Sequence, residues 1–229
     1  MSSLPIDEQQ ALDLEKFKEM DYFAVEKFNL PIELMMENAG LQLAKLISHT
    51  HPNLNNKILI GIGNGNNGGG GLVAARRLAA WGYEVYLDLF TEVTKELPKL
   101  QLARALKFGV KDKPIEDPEL WVDAYLGFSQ KLPLPEGLLR RINQANTLDC
   151  QKISLDILTG YLGDSKLPYF KADKILTLAA LKKILLGLVE NSEIYVADLG
   201  IPKVVYQQFG IQQPEFKKST ILHLKPSLV

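Results

Sequence analysis

One segment, residues 57–82, restricts the possible folds of this chain more than any other part of the sequence. It reads KILIGIGNGNNGGGGLVAARRLAAWG: an apolar run at 58–62, glycines at 61, 63, 65 and 68–71, and an apolar helical pattern at 72–80. A strand, a glycine turn and a helix in this order offer backbone N–H groups and a positive helix end to a phosphate. We expect the glycines to adopt positive φ and to let a ligand approach closely. The alternative is a glycine-rich connection that binds nothing, which the flanking strand and helix disfavour.

Composition excludes several other classes of protein. The 229 residues are 46 % hydrophobic and 23 % charged, which is typical of a globular chain, and we expect one domain over residues 1–229. A net charge of −1 gives no electrostatic reason to expect nucleic-acid binding. The single cysteine, Cys150, excludes an internal disulfide. Because we find neither a membrane-length apolar run nor a signal-peptide pattern, we expect a cytoplasmic protein without a membrane partner.

Apolar periodicity predicts an α/β fold. Two N-terminal helices, near 7–29 and 32–48, precede an alternation of short apolar strands and helices. The strands are expected near 57–62, 84–90, 120–126, 152–157, 173–178 and 193–198, and the helices near 70–81, 95–108, 135–146, 179–189 and 201–208. Such alternation is typical of a mostly parallel sheet between two helical layers, a three-layer α/β/α sandwich. A late run at 220–224 is expected to form an edge strand.

Acidic residues lie toward the ends of two of the predicted strands. Asp123 comes after an apolar pair, and Asp156 comes at the end of another apolar run. Since ligands bind beyond the carboxyl ends of parallel strands, these carboxylates could bind a cation, orient hydroxyl groups or transfer protons. The alternative is that each aspartate caps the following turn. Asn38, within the second helix, is expected either to face the same site or to belong to a solvated stripe.

These segments, in this order, resemble the YjeF N-terminal domain family, the NAD(P)H-hydrate epimerases. The family pattern is MENAG, then GxGNNGGDG followed by LVAAR, then VDAxxG, DIPSG and ADxTxTF. The corresponding segments of this chain are Met36–Gly40, Gly63–Arg76, Val122–Gly127, Asp156–Gly160 and Ala172–Thr177, with a late Asp198–Pro202 that matches DIGIP. The resemblance therefore spans about residues 36–202, most of the chain.

The resemblance implies a Rossmann-like fold and an enzyme that interconverts the R and S epimers of hydrated NADH and NADPH. It places Asp123 or Asp156 in the acid–base role and implies a potassium ion at Asn67, Asp123 and Thr159. The ligand would be contacted by Asn38, Asn66, Asn67, Gly68, Gly69, Gly70, Gly127, Phe128, Ser129 and Asp156. A separate dehydratase chain is the implied partner.

Several positions depart from the family pattern. The loop aspartate of the family is Gly70 in this chain, and the proline of DIPSG is Leu158. Phe128 and Ile175 stand where the family commonly has threonine. These changes leave two functions open, an epimerase with altered ligand contacts or a nucleotide-binding or scaffold module without catalysis, because function depends on the site and not on the fold.

The N-terminal helices also predict a homodimer. Their large side chains, Phe17, Tyr22, Phe23, Phe28 and Met35, are too many for one core face, and surplus aromatic surface is typical of interfaces. We expect light scattering to report twice the 25.6 kDa mass of one chain. A single-chain mass at high protein concentration would contradict the prediction.

Overall fold

A computed structural model describes residues 2–226 and shows an eight-stranded sheet between two layers of helices. The strands are β1 (Ser2–Pro5), β2 (Lys57–Ile62), β3 (Glu84–Leu89), β4 (Leu120–Ala124), β5 (Gln151–Leu155), β6 (Lys174–Leu178), β7 (Glu193–Ala197) and β8 (Ile221–Lys225). The α-helices are α1 (Leu14–Phe28), α2 (Ile32–Thr50), α3 (Asn66–Ala80), α4 (Glu96–Lys107), α5 (Glu136–Thr147) and α6 (Lys203–Gln208). Two 3₁₀ turns, Glu8–Gln10 and Lys183–Leu188, complete the regular structure.

The strand order is β1-β8-β7-β6-β5-β4-β2-β3, and only the β7–β8 pair is antiparallel. The strands from β2 to β7 are therefore parallel, and their carboxyl ends share one edge of the sheet. From β2 the chain first adds β3 on one side and then β4 on the other. This reversal creates a crevice at the carboxyl ends of β2 and β4, the usual ligand position in such sheets.

Two buried clusters confirm the predicted three-layer architecture. One face of the sheet packs mainly against α2, α3 and α4, and the other packs against α1, α5, α6 and the 3₁₀ turn at 183–188. The buried residues of β2 and β4 are apolar except for Asp123, as expected for strands covered on both faces. Within residues 2–226, no helix is long and apolar enough to span a membrane.

The helix expected over 7–29 is wrong in its first third, residues 7–13. Residue Leu12 donates its N–H to the carbonyl of Leu181 at 2.9 Å and accepts the N–H of Lys183 at 2.9 Å. Because these backbone groups bond to a distant segment, the helix begins only at Leu14. The same contact explains why 179–189 forms a short 3₁₀ turn at 183–188 in place of the expected α-helix.

The expected edge strand at 220–224 is also wrong in its position. Residues Ile221–Lys225 form β8, which lies between β7 and β1. The N-terminal Ser2–Pro5 pairs with β8 and takes the edge, a pairing between chain ends that local pattern could not reveal. The smaller differences are at the ends of elements: α3 begins at Asn66, four residues before its expected start.

The glycines near α3 are needed for close packing. Our expectation that they adopt positive φ is wrong. None of Gly61, Gly63, Gly65 and Gly68–Gly71 has a positive φ. A Cβ on Gly63 would lie 1.9 Å from the carbonyl oxygen of Tyr125. A Cβ on Gly61 would lie 2.1 Å from the same tyrosine ring. The glycines therefore let β2 and α3 approach the segment after β4.

The large side chains of the N-terminal helices mostly pack against other residues of the same chain. Phe17 and Met35 are buried, and Phe23 packs edge-on against Phe209 with ring centroids 5.8 Å apart. Tyr22 and Phe28 remain 46 % and 41 % exposed. The apolar surface available for a dimer is thus smaller than the sequence indicated, and the oligomeric state stays a prediction.

Close contact between α2 and α3 generates a stability prediction. A Cβ on Gly40 would lie 2.4 Å from Cβ of Val73 and 2.7 Å from the carbonyl oxygen of Gly70. We expect Gly40→Ala to lower the free energy of unfolding by about 1–3 kcal/mol, because the two helices must separate. Gly137→Ala in α5 is the matched control: its Cβ meets nothing within 4 Å, so better helix propensity should raise stability by about 0.5–1 kcal/mol. Urea unfolding of both variants tests this, and equal stability would refute it.

Candidate functional site

A cavity of about 600 Å³ opens at the carboxyl edge of the sheet, beside the ends of β2 and β4. Its volume lies within the range usual for small-molecule sites. Its walls come from α1 and α2 and from the segments that follow five parallel strands. The polar residues among these walls are Asp21, Tyr22, Asn64, Asn66, Asn67, Thr91, Lys95, Tyr125, Ser129, Gln130 and Asp156.

The N-terminus of α3 forms one wall of the cavity. Gly65 is its N-cap residue, and Asn66 and Asn67 are the first two residues of the helix. The earliest bond of the helix ladder runs from the N–H of Gly69 to the carbonyl of Gly65, so the preceding N–H groups have no helical acceptor. The amide of Asn67 donates to the carbonyls of Leu126 at 2.9 Å and Leu155 at 3.2 Å. This bonding holds the helix end over β4 and β5, where it can accept a phosphate.

A buried ion pair lies next to this helix end. Asp156 follows β5 and has φ of 72°, a left-handed conformation that aspartate tolerates better than most residues. Its Oδ1 accepts a hydrogen bond from Nζ of Lys182 at 2.7 Å, and its Oδ2 accepts the N–H of Phe128 at 3.1 Å. Lys182 is fully buried and also donates to the carbonyl of Leu178 at 2.7 Å. The ammonium lies 3.7 Å from the ring centroid of Phe17, a cation–π contact that helps to compensate for its burial.

Burial and charge act in opposite directions on Lys182. Removal from water lowers the pKa of its ammonium, whereas the nearby carboxylates of Asp156 and Asp21 raise it. The direct 2.7 Å bond to Asp156 makes an ion pair the natural form of these two groups.

A second carboxyl group, Asp21 on α1, lines the same cavity. It is half-buried, and within residues 2–226 it has no hydrogen-bond or ion-pair partner. Burial, and then repulsion from Asp156, raise the pKa of Asp21 to about 6, against some lowering by Lys182. Two carboxyl groups in different environments therefore meet on one cavity.

Asp123, the other predicted carboxylate, lies below the cavity and is fully buried. One oxygen accepts the Thr159 hydroxyl at 2.6 Å and the N–H of Tyr125 at 3.3 Å. The other accepts the N–H of Thr159 at 2.8 Å and the Ser154 hydroxyl at 2.9 Å. Burial raises the pKa of Asp123 to about 6, although these hydrogen bonds lower it. No described cationic side chain pairs with it.

Two of the predicted potassium residues, Asn67 and Thr159, bond to the backbone of Leu126, and Thr159 also bonds to the third, Asp123. Leu126 accepts the Asn67 amide at 2.9 Å, and its N–H donates to the Thr159 hydroxyl at 3.1 Å. The donor set around it is one carboxylate, one amide, one hydroxyl and carbonyl oxygens, and oxygen donors of this kind suit an alkali cation. The unpaired buried carboxylate of Asp123 also fits a cation, since burying a lone negative charge is costly. The described residues contain no cluster of three histidine, cysteine, aspartate or glutamate side chains suited to a metal ion.

Comparison with known proteins identifies the family. The model of the YjeF-related protein N-terminus matches residues 32–184. The chain belongs to the YjeF N-terminal family. A protein of Rhodopirellula baltica named NAD(P)H-hydrate epimerase is 33 % identical over 225 residues, which cover 90 % of this chain and 91 % of that protein. A protein of the same name from Dehalogenimonas lykanthroporepellens is 35 % identical over 85 % of this chain and 84 % of its own length.

Two further relatives of this YjeF N-terminal protein are informative. A protein of Archaeoglobus fulgidus named bifunctional NAD(P)H-hydrate repair enzyme Nnr is 32 % identical over 78 % of this chain but only 39 % of its own length. The crystal structure of yeast ynu0 superposes with a TM-score of 0.84 at 24 % identity, and the match covers 93 % of this chain and 99 % of the yeast chain. The yeast structure supports the Rossmann-like fold expected from the sequence.

The structure of this family member brings most of the predicted ligand contacts to the cavity. The lining includes Asn66, Asn67, Gly70, Gly127, Phe128, Ser129 and Asp156. Three predicted contacts do not line it: Asn38 donates its amide to the carbonyl of Leu199 at 3.0 Å, Gly68 packs on the backbone of Gly63, and Gly69 packs on Met36. Asp123 and Thr159 are likewise outside the lining, in the layer beneath.

Sequence reasoning missed three polar residues near this site. Lys182 was not among the site residues expected from the sequence, and its bond to Asp156 depends on how β5 and β6 pair. Asp21 lies beside the apolar stripe of α1, next to Met20 and one turn after Phe17, so its position on the helix was an available clue. Lys95 enters the lining because Asn64 accepts its N–H at 2.9 Å and joins the loops after β2 and β3.

The raised pKa of Asp21 predicts how stability depends on pH. The pKa of Asp21 is about 6 in the folded protein, against a usual value of 3.8. Ionisation of Asp21 therefore reduces folding stability progressively from about pH 4 to about pH 7. Asp21→Asn should therefore match the wild type near pH 4 and be more stable by about 1–3 kcal/mol near pH 8.

Urea unfolding across this pH range measures the effect. Glu19→Gln, which removes an exposed carboxyl group from the same helix, is the matched control and should follow the wild type throughout. An Asp21→Asn variant that is no more stable than the wild type at pH 8 would show that the Asp21 side chain is well solvated.

Proposed function

We propose that the chain is an NAD(P)H-hydrate epimerase, which interconverts the R and S forms of hydrated NADH and NADPH. The observation that carries this proposal is one cavity whose lining contains both a phosphate-type helix end and a fixed carboxylate, Asp156. A dinucleotide needs the first, and acid–base chemistry at its nicotinamide end needs the second. Two relatives named NAD(P)H-hydrate epimerase are 33 % and 35 % identical to this chain over 90 % and 85 % of its length.

The geometry supports an orientation for the bound dinucleotide. Its pyrophosphate would meet the free N–H groups at the start of α3, and the Lys95 ammonium at the cavity wall would add a positive charge. Gly70, which lines the cavity without a side chain, leaves the backbone accessible. The hydrated nicotinamide ring would then lie toward Asp156 and Phe128, on the side of the cavity formed by α1.

The reacting carbon carries a hydroxyl group and is bonded to the ring nitrogen. Loss and return of that hydroxyl require a group that gives and takes a proton. Asp156 is suited to this role because Lys182 and the N–H of Phe128 hold its two oxygens in place at the cavity wall. Asp123 is fully buried below the cavity, so we assign it to the support of the site and not to proton transfer.

Potassium would be held by Asn67, Asp123 and Thr159, together with the carbonyl of Leu126. A bound cation would neutralise the buried Asp123 carboxylate and stabilise the segments after β4 and β5 that form the cavity. Both oxygens of Asp123 accept hydrogen bonds from the protein, so the Thr159 hydroxyl would have to turn its hydrogen away from the carboxylate.

A separate dehydratase chain is the proposed partner, because the epimerase reaction only exchanges one hydrate for the other. The archaeal relative named as a bifunctional repair enzyme supports this proposal, since the region similar to this chain is 39 % of its length. A binding or scaffold module is the other candidate, and it is favoured by the absence of a carboxylate at Gly70 and by the phenyl ring of Phe128 on the cavity wall.

The decisive experiment is epimer exchange from one resolved NADHX epimer, compared with the spontaneous rate. We expect wild-type exchange above background, and a loss of about 10²–10⁴ in rate for Asp156→Asn, because an amide keeps the shape but cannot accept the proton. Asn tolerates the left-handed backbone conformation of Asp156, but it leaves the buried Lys182 ammonium without its carboxylate. Circular dichroism and urea unfolding must therefore show that the variant is folded under the assay conditions. Asp149→Asn, at an exposed loop position before β5, is the matched control and should leave the rate unchanged.

Potassium and Gly70 distinguish the alternatives in the same assay. Replacing potassium by tetramethylammonium should slow the wild type but have little further effect on Asp123→Asn, whose cation site is already impaired. An unchanged rate in Asp156→Asn would refute the acid–base assignment. Absence of wild-type exchange, with activity gained in Gly70→Asp, would instead identify a binding module.

A further inference from the structure

We infer that Asp21 is a second acid–base group of this cavity, which donates the proton to the departing hydroxyl of the hydrated nicotinamide. The inference rests on the proposed function and adds a residue that lies outside the matched family region of 32–184. It follows from the position of Asp21 on α1, from the absence of a hydrogen-bond partner for its side chain, and from the pairing of the neighbouring Asp156 with Lys182.

The register of α1 places Asp21 at the cavity. Phe17 is buried with its ring over the Lys182 ammonium and edge-on to Phe128, with centroids 5.2 Å apart. One helical turn later, Asp21 lies on the same side of the helix. Met20 and Ala24, both fully buried, fix the rotation of α1 against the core. The position of the Asp21 carboxyl group is therefore set by the contacts that enclose the ion pair.

The absence of a partner leaves Asp21 free to act on a ligand. A half-buried carboxyl group normally finds a donor within the protein, as Asp123 and Asp156 do. Among residues 2–226, no group hydrogen-bonds to the Asp21 side chain, although Asp21 lines the cavity. A bound molecule with a hydroxyl group would supply the missing partner.

The neighbouring charges separate the roles of the two carboxyl groups. Asp156 is bonded directly to the Lys182 ammonium at 2.7 Å, whereas Asp21 experiences repulsion from Asp156 and only a more distant attraction to Lys182. The other charged group of the lining is Lys95, which we place at the phosphate end of the ligand. A pKa of about 6 leaves a useful fraction of Asp21 protonated near neutral pH, as a general acid requires.

The proposed step breaks one C–O bond and transfers one proton from Asp21. The C–O bond breaks, and the oxygen leaves as water with the bonding electron pair and the proton of Asp21. The lone pair of the ring nitrogen forms the second bond of a C=N iminium, and Asp21 becomes a carboxylate. Water then adds to either face of the planar carbon and gives up one proton to the carboxylate pair of Asp21 and Asp156. The acid is thereby regenerated, and addition to the opposite face yields the other epimer.

The test compares the pH dependence of epimer exchange in the wild type and in Asp21→Asn. We expect the turnover number of Asp21→Asn to fall about 10²-fold or more, with little change in KM or in NADP affinity by calorimetry. The wild-type rate should decline as pH rises past about 6, since the acid ionises, and the residual rate of Asp21→Asn should lack this decline. Asp21→Glu should recover part of the rate, and Glu19→Gln on the exposed face of α1 should match the wild type.

The outcomes separate this inference from the proposed function. Wild-type exchange with an Asp21→Asn rate within threefold of it, or with the same pH decline in the variant, overturns the role of Asp21 alone. A matching loss of NADP affinity in Asp21→Asn also overturns it, because the residue would then act in binding. Absence of wild-type exchange at every pH overturns both proposals.

Discussion

The ion pair between Lys182 and Asp156 is the interaction on which the geometry of the site depends. It joins the segment after β5 to the segment after β6, and Phe17 of α1 covers its positive end. The side chains are 0 % and 2 % exposed, so each charge is stable only because the other is present. Loss of either partner from such a buried pair typically costs about 3–5 kcal/mol, which couples the integrity of the site to that of the fold.

Close packing by glycine is the second requirement of this architecture. Gly68–Gly71 lie in the first turns of α3, where each glycine costs the helix about 1 kcal/mol relative to alanine. Glycine is nevertheless required here, because a Cβ on Gly71 would lie only 2.6 Å from Cβ of Ala124, and a Cβ on Gly69 only 2.5 Å from the Met36 side chain. The N-terminus of α3 can therefore lie directly against the end of β4, where its free N–H groups and the Asn67 amide meet the cavity.

The three carboxyl groups of this region illustrate how surroundings, and not residue type, assign roles. Asp123 is enclosed by donors from Thr159, Ser154 and Tyr125 and supports the strand ends. Asp156 is held at the cavity wall by one ammonium and one N–H group. Asp21 lines the cavity without a partner. At the cavity, Asp156 is therefore paired and Asp21 is unpaired. Different surroundings of this kind shift the pKa values of two carboxyl groups apart, which lets one act as a base and the other as an acid.

The sequence by itself determined the α/β class, the parallel strands from β2 to β7, the family and the meeting of Asn67 with Asp156 at one sheet edge. These follow from local patterns, because apolar periodicity and strand–turn–helix motifs need only neighbouring residues. Only the tertiary structure decided that Leu12 bonds to the segment around Lys182, that Ser2–Pro5 pairs with β8, and that Asp21 joins the cavity. Each of these joins residues more than 130 positions apart, and such contacts depend on which surfaces remain uncovered once the central sheet has formed.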